Sequence, residues 1–131
     1  MKVTGTSVPV LDQAKALKFY TEKLGFLLNK DIPVEGGNRW LTVISPEWKD
    51  GPEILLEPAP IHFEPCKVYQ EALMKAGIPW TQFEVEDVEK EYERLINLDV
   101  KFNVKPTEMG TVKIAVFDDT CGNYIQMVEM L

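Results

Sequence analysis

Val10-Leu11-Asp12-Gln13-Ala14-Lys15-Ala16-Leu17-Lys18-Phe19-Tyr20, closing through Leu24-Gly25-Phe26, is the stretch on which the fold turns. Upstream of it, Val8 and Val10 alternate with Ser7 and Pro9, the period-two pattern of a strand within Val3 to Leu11. Asp12 is placed as a helix N-cap, where its carboxylate accepts from the first free backbone N–H groups. Ala16, Leu17, Tyr20 and Leu24 then form one apolar stripe, so the helix is expected to run to about Leu24. Gly25 follows in the position that ends helices. Extended segments are expected near 26–34, 38–45 and 53–58, with turns at Glu35-Gly36-Gly37-Asn38 and Lys49-Asp50-Gly51-Pro52. The first half therefore reads β-α-β-β-β.

Residues 59–66, directly after Pro58, are Pro-rich and read as a crossing segment, with His62 in a solvent-facing loop. A short helix is expected over 67–76, with Val68, Leu73 and Met74 as its apolar contacts and Gly77 as its stop. Beyond it the pattern of the first half returns. Phe83-Glu84-Val85-Glu86-Asp87 matches Val8-Pro9-Val10-Leu11-Asp12, and Val88, Tyr92, Leu95 and Ile96 form the next helical stripe. Asp87 lies 75 positions after Asp12, and Leu98 lies 74 after Leu24. Extended runs follow near 101–105, 111–117 and 123–129. Two copies of one unit are the simplest account of that spacing. The expected fold is α+β, two β-α-β-β-β modules forming a curved mixed sheet around a central cleft, the natural ligand site. Module 1 covers about 1–58, the linker and short helix about 59–77, and module 2 about 78–131.

The 131 residues suit a single domain, long enough to bury a core without a disulfide or metal staple. Fourteen basic against 21 acidic residues give a net charge of −7, which disfavours nucleic acid as a partner. Apolar runs are far shorter than the roughly 20 residues of a membrane span. The N-terminus lacks the apolar core of a secretory signal, so a cytoplasmic location is expected. Cys66 and Cys121 form no CxxC unit and read as reduced thiols. One histidine in the whole chain leaves little for a catalytic zinc.

On the residues quoted above, together with Phe117-Asp118-Asp119-Thr120-Cys121-Gly122-Asn123-Tyr124-Ile125-Gln126, the chain resembles the vicinal oxygen chelate superfamily. That superfamily groups glyoxalase I, extradiol dioxygenases, fosfomycin-modifying enzymes and bleomycin-binding resistance proteins. Its metal-dependent members place ligands on four strand positions, which the resemblance carries here onto Gly5, Glu57, Trp80 and Gln126. Only Glu57 is a good ligand: glycine has no side chain, an indole has no available lone pair, and glutamine is a weak neutral donor. No metal and no other cofactor is expected.

Strand alternation turns Trp80, Gln82 and Glu84 to one face, opposite Thr81, Phe83 and Val85. Packing of Ile125 and Met127 beneath the helices aims Tyr124 and Gln126 at the same cavity, joined by Leu55, Glu57 and Trp40. The candidate ligand-binding set is Trp80, Glu57, Gln126, Tyr124, Gln82 and Trp40. It suits a flat or cationic organic guest stacked on tryptophan and paired with Glu57. Each residue also has a plainer role: Trp80 can plug the core, Glu57 can be solvated at a strand end, and Gln126 can bond a neighbouring strand. Cys121 is taken as structural. The favoured reading is a metal-free small-molecule binding protein that sequesters its ligand. The alternative is a glyoxalase-type lyase, isomerase or dioxygenase, in a metal-independent version with Glu57 as general base. A vestigial scaffold ranks third. Open sheet edges point to a homodimer.

Overall fold

The structure is a computed structural model that describes residues 1–131. It is α+β and divides into two compact units, Met1–Val68 and Tyr69–Leu131. Each holds a four-stranded mixed sheet with a helix between its first and second strands.

In the first unit the elements are β1 (Gly5–Pro9), α1 (Gln13–Lys18), β2 (Leu27–Pro33), β3 (Arg39–Ile44) and β4 (Glu53–Glu57), with α2 (Ala59–His62) after them. The strand order is β1-β4-β3-β2, with β1 parallel to β4 and the other pairs antiparallel. Asp12 caps α1 as its position requires, accepting from the Lys15 N–H at 3.0 Å. The α-helix stops at Lys18, short of Leu24, because the chain widens into a π-helical turn over Phe19–Lys23. Leu24 N–H there reaches back five residues to the Phe19 carbonyl at 3.3 Å. Gly25 then takes a φ of 84°. Val8, Val10, Ala16, Tyr20, Leu41, Val43 and Leu56 form the core of this unit.

The second unit runs through β5 (Thr81–Glu84), α4 (Val88–Asn97), β6 (Phe102–Met109), β7 (Val112–Asp118) and β8 (Tyr124–Met130), in strand order β5-β8-β7-β6. Asp87 repeats the cap, accepting from Lys90 N–H at 3.0 Å. Asp99 repeats the left-handed exit with a φ of 63°. Val88, Leu95, Val100, Ala115, Phe117, Ile125 and Met127 make its core.

The segment between the modules departs from expectation. Residues 59–66 are not an irregular crossing: α2 takes up Ala59–His62, and α3 already begins at Glu64 and runs to Ala76. The prolines fit because Pro60 and Pro65 each fall in a first turn, where a missing N–H costs no hydrogen bond. His62 accordingly ends a helix rather than sitting in a loop, though it remains exposed. Val68 is also exposed, and the fully buried residue of α3 is the polar Gln70. Its amide explains why: Nε2 donates to Asn123 Oδ1 at 3.1 Å. No helix is long and apolar enough to cross a membrane.

Candidate functional site

One face of each sheet carries the core, and the other carries the polar residues of the predicted site. In the first unit Val8, Ile54 and Leu56 are buried, while Ser7 is exposed and Glu53, Leu55 and Glu57 are half-buried. Parallel pairing sets Pro9 opposite Glu57 and Ser7 opposite Leu55, so the Ser7 hydroxyl lies diagonal to the Glu57 carboxylate. It donates to Glu57 Oε1 at 2.5 Å. Further along β4, Glu53 accepts from Thr42 Oγ1 at 2.9 Å and Lys30 Nζ at 3.2 Å, and from the Asn29 amide. Desolvation pushes the Glu53 carboxyl up, but the bonds from Thr42, Lys30 and Asn29 outweigh it and hold the group below its ordinary range.

Beyond Glu57 lies an open cleft of about 330 Å³, lined among others by Val34, Trp40, Leu55, Glu57, Ala59 and His62. Trp40 is 48% exposed, so much of its indole is available to a guest. Gln13 braces the two strands beneath. This buried amide donates to the Arg39 carbonyl at 2.7 Å and the Leu56 carbonyl at 2.9 Å, and accepts from Arg39 N–H at 3.0 Å. It fixes the backbone next to both Trp40 and Glu57. His62 Nε2 lies 3.1 Å from Asn38 Oδ1, within hydrogen-bond reach. Arg39 also lines the cleft but spends its charge on Asp31, in a two-pronged pair at 2.9 and 2.8 Å. The Arg39 bond holds the Asp31 carboxyl below its ordinary value. Burial and the nearby Glu57 carboxylate push the Cys66 thiol up, so this cysteine stays protonated rather than nucleophilic.

In the second unit Gln82 stands directly opposite Gln126 across the parallel β5–β8 pair, and Gln126 Nε2 donates to Gln82 Oε1 at 3.0 Å. An open cleft of about 330 Å³ adjoins them, lined by Pro79, Thr81, Gln82 and Gln126. Gln82 and Glu84 are exposed where Phe83 and Val85 are half-buried, the alternation expected of β5. Trp80 is half-buried, its ring against Tyr69 at 5.5 Å edge-on, and its backbone N–H donates to the Tyr124 carbonyl at 2.8 Å. The six predicted residues thus fall into two groups: Trp40 with Glu57 on one cleft, and Gln82 with Gln126 on another, next to Trp80 and Tyr124.

Sequence reasoning missed three contributors. The sequence reads His62 as a solvent-facing loop residue, yet α2 places it on the cleft that Glu57 lines. Ser7 had a legible signal, since it alternates with Val8 and so shares the face of Glu57. Gln13 had none, because a glutamine in a helix's first turn is ordinarily exposed.

The superfamily's metal positions do not fit a divalent ion here. Glu57 offers one carboxylate, Gln126 only a weak neutral amide oxygen, and Gly5 and Trp80 offer no donor. The internal register sharpens the point. Val10 N–H bonds the Glu57 carbonyl and Val85 N–H bonds the Val128 carbonyl, so the repeat makes Val128 the counterpart of Glu57, and Leu55 that of Gln126. Neither adds a ligand. Nowhere do three or more His, Cys, Asp or Glu side chains come together as a metal-holding group.

Comparison with known proteins identifies the fold's family. The sequence profile of the Glyoxalase/Bleomycin resistance protein/Dioxygenase superfamily matches residues 2–127. The uncharacterised protein YurT of Bacillus subtilis (strain 168) is 51% identical over 98% of this chain and 99% of its own. Among solved structures, UcmS2 is similar with a TM-score of 0.82 and 32% identity over 98% of both chains. TnmS3, described as an antibiotic binding protein from Streptomyces sp. CB03234, is similar with a TM-score of 0.75 and 29% identity, covering 100% of this chain and 97% of its own. The repeated β-α-β-β-β unit, its paired aspartate caps and these matches have one explanation: the chain belongs to the Glyoxalase/Bleomycin resistance protein/Dioxygenase superfamily.

Proposed function

We propose that this protein binds and sequesters a small aromatic or cationic organic molecule, without a metal and without transforming it. The observation that carries this reading is the first unit's cleft. A half-exposed Trp40 flanks an ionisable Glu57 fixed by Ser7, while the one arginine of the cleft is tied to Asp31. Such a surface offers a π face and an acceptor to a planar cation, and little to an anion. The likeness to an antibiotic binding protein supports the same reading. Trp80, Tyr124, Gln82 and Gln126 are assigned to ligand contacts from the second unit. The protein acts in the cytoplasm as a homodimer, for which the exposed Leu27, Leu28 and Ile32 of edge strand β2 argue. Analytical ultracentrifugation reads the dimer directly.

The test is a fluorescence-anisotropy titration with ethidium, a planar aromatic cation. Trp40→Ala is expected to weaken binding by roughly 1–3 kcal/mol, the range of a stacked aromatic anchor. Glu57→Gln is expected to weaken it as well. Equal affinity for an anionic dye of the same shape, or an unchanged Trp40→Ala variant, sinks the reading. A second reading, a metal-independent enzyme with Glu57 as general base, is favoured by one observation: Glu57 and His62 line the same cleft. There Glu57→Gln abolishes turnover of a bound substrate while affinity survives.

A further inference from the structure

The second unit's cleft differs in chemistry from the first. Its lining of Pro79, Thr81, Gln82 and Gln126 holds no ionisable side chain, so recognition there rests on neutral hydrogen bonds. Backbone register fixes Gln82 and Gln126 on one face, and the bond between their amides orients both planes. Once Gln126 Nε2 has donated to Gln82 Oε1, the pair still presents the Gln126 carbonyl as an acceptor and the Gln82 amide as a donor. Exchanging the oxygen and nitrogen of both amides reverses the bond and yields the same inventory, one acceptor and one donor. A glutamine amide pairs in two-point fashion with any planar group that carries a donor and an acceptor side by side, as it does with the edge of adenine.

We propose that Gln82 and Gln126 form a recognition edge for an uncharged cyclic amide, a lactam set flat in the cleft with its N–H on the Gln126 carbonyl and its C=O on the Gln82 amide. Pro79 supplies an apolar wall for the ring. This deepens the reading of the protein as a small-molecule binder and rests on it. It also assigns the two clefts different tasks, charge in the first and amide complementarity in the second.

The test uses the full chain, isotope-labelled, with isoquinolinone as a bicyclic lactam probe and its N-methyl derivative, which lacks the donor. Heteronuclear NMR follows the side-chain amides of Gln82 and Gln126. Isoquinolinone is expected to shift both saturably, and the N-methyl compound to bind about tenfold more weakly or worse, since a polar partner is then left unpaired. Gln126→Glu, which replaces a donor-acceptor edge with acceptors alone, should abolish the shift while the backbone spectrum stays intact. Should that variant misfold, Gln82→Met reads the same loss. Equal shifts from the two compounds overturn the proposal. So does isoquinolinone perturbing Trp40 and His62 in place of the glutamines, an outcome that leaves the broader binding reading standing. No perturbation anywhere overturns the lactam edge alone, because the ethidium titration tests the other cleft.

Discussion

The two units share one plan and spend it differently. Each helix starts at an aspartate cap with the same 3.0 Å bond, and each ends in a left-handed residue, Gly25 in one and Asp99 in the other. Between cap and exit the first unit has one residue more, and the π-helical turn at Phe19–Lys23 absorbs it. The helix-to-sheet tie is also inverted. In the first unit the helix reaches for the strands through Gln13. In the second, the equivalent Val88 buries its side chain, and Glu129 on β8 accepts from its N–H at 2.9 Å. The loops before the last strands differ most. The loop between β3 and β4 is an exposed turn around Asp50, whereas that between β7 and β8 is a buried polar knot. A repeated fold thus fixes where side chains point and leaves free what they are, so one cleft acquires charge and the other neutral amides.

The knot gives the largest expected difference. Asp119 is fully buried and accepts from Cys121 N–H at 2.7 Å, Asn123 N–H at 3.0 Å and Asn123 Nδ2 at 2.8 Å. Asp119→Ala strands these donors and is expected to cost roughly 3–4 kcal/mol in denaturant unfolding. Asp50→Ala, in the corresponding loop of the first unit, is expected to stay within about 0.5 kcal/mol. Similar losses at both positions would erase the contrast between the loops.

Gln13→Leu comes next, at about 2–3 kcal/mol, because it leaves both backbone groups of Arg39 and the Leu56 carbonyl without a partner. Glu129→Gln keeps an acceptor for Val88 N–H and is expected to cost no more than about 1 kcal/mol. Hydrogen exchange at Arg39 localises the first effect: its amide should lose protection in Gln13→Leu and keep it in Glu129→Gln. If the Arg39 amide stays protected in Gln13→Leu, the side chain is a passenger and not the brace.

How far these differences were legible in sequence follows from their range. The caps, the helix exits and the strand faces are set by residues a few positions apart, and Asp12, Asp87, Gly25 and the Val8–Val10 alternation announced them. Even the one-residue mismatch between the halves was visible in the spacing, though nothing local said that a π-turn would take it up. The helix over 67–76 is legible in sequence, but the helical turns within 59–66 are not, because Pro60 and Pro65 read as breakers where they occupy first turns. Gln70, Gln13 and the Ser7–Glu57 bond depend on partners about 25 to 55 positions away. Only the tertiary register brings those together, and no period in the sequence encodes it.

The smallest effect tests where acid acts. Glu53 stands where the second unit has Tyr124, by the shared register of β1–β4 and β5–β8, so at this position the first unit alone carries a carboxylate. The folded Glu53 carboxyl sits below its ordinary value. A depressed carboxylate stabilises the fold fully above the ordinary pKa of about 4, and that contribution is lost as pH falls through the lower folded value. Asp31, held down by Arg39, acts in the same direction. Thr42→Val removes one of the donors to Glu53, so its carboxyl should titrate closer to the ordinary range in a carboxyl NMR titration. The part of the variant's stability deficit that comes through Glu53 should be present at neutral pH and fade in acid, where both proteins carry the group protonated. Any remainder that does not vary with pH measures the buried Thr42 hydroxyl itself, which also accepts from Lys30 N–H at 3.1 Å. An unshifted Glu53 in Thr42→Val would mean that Lys30 and Asn29 hold the carboxylate without help from the β3 hydroxyl.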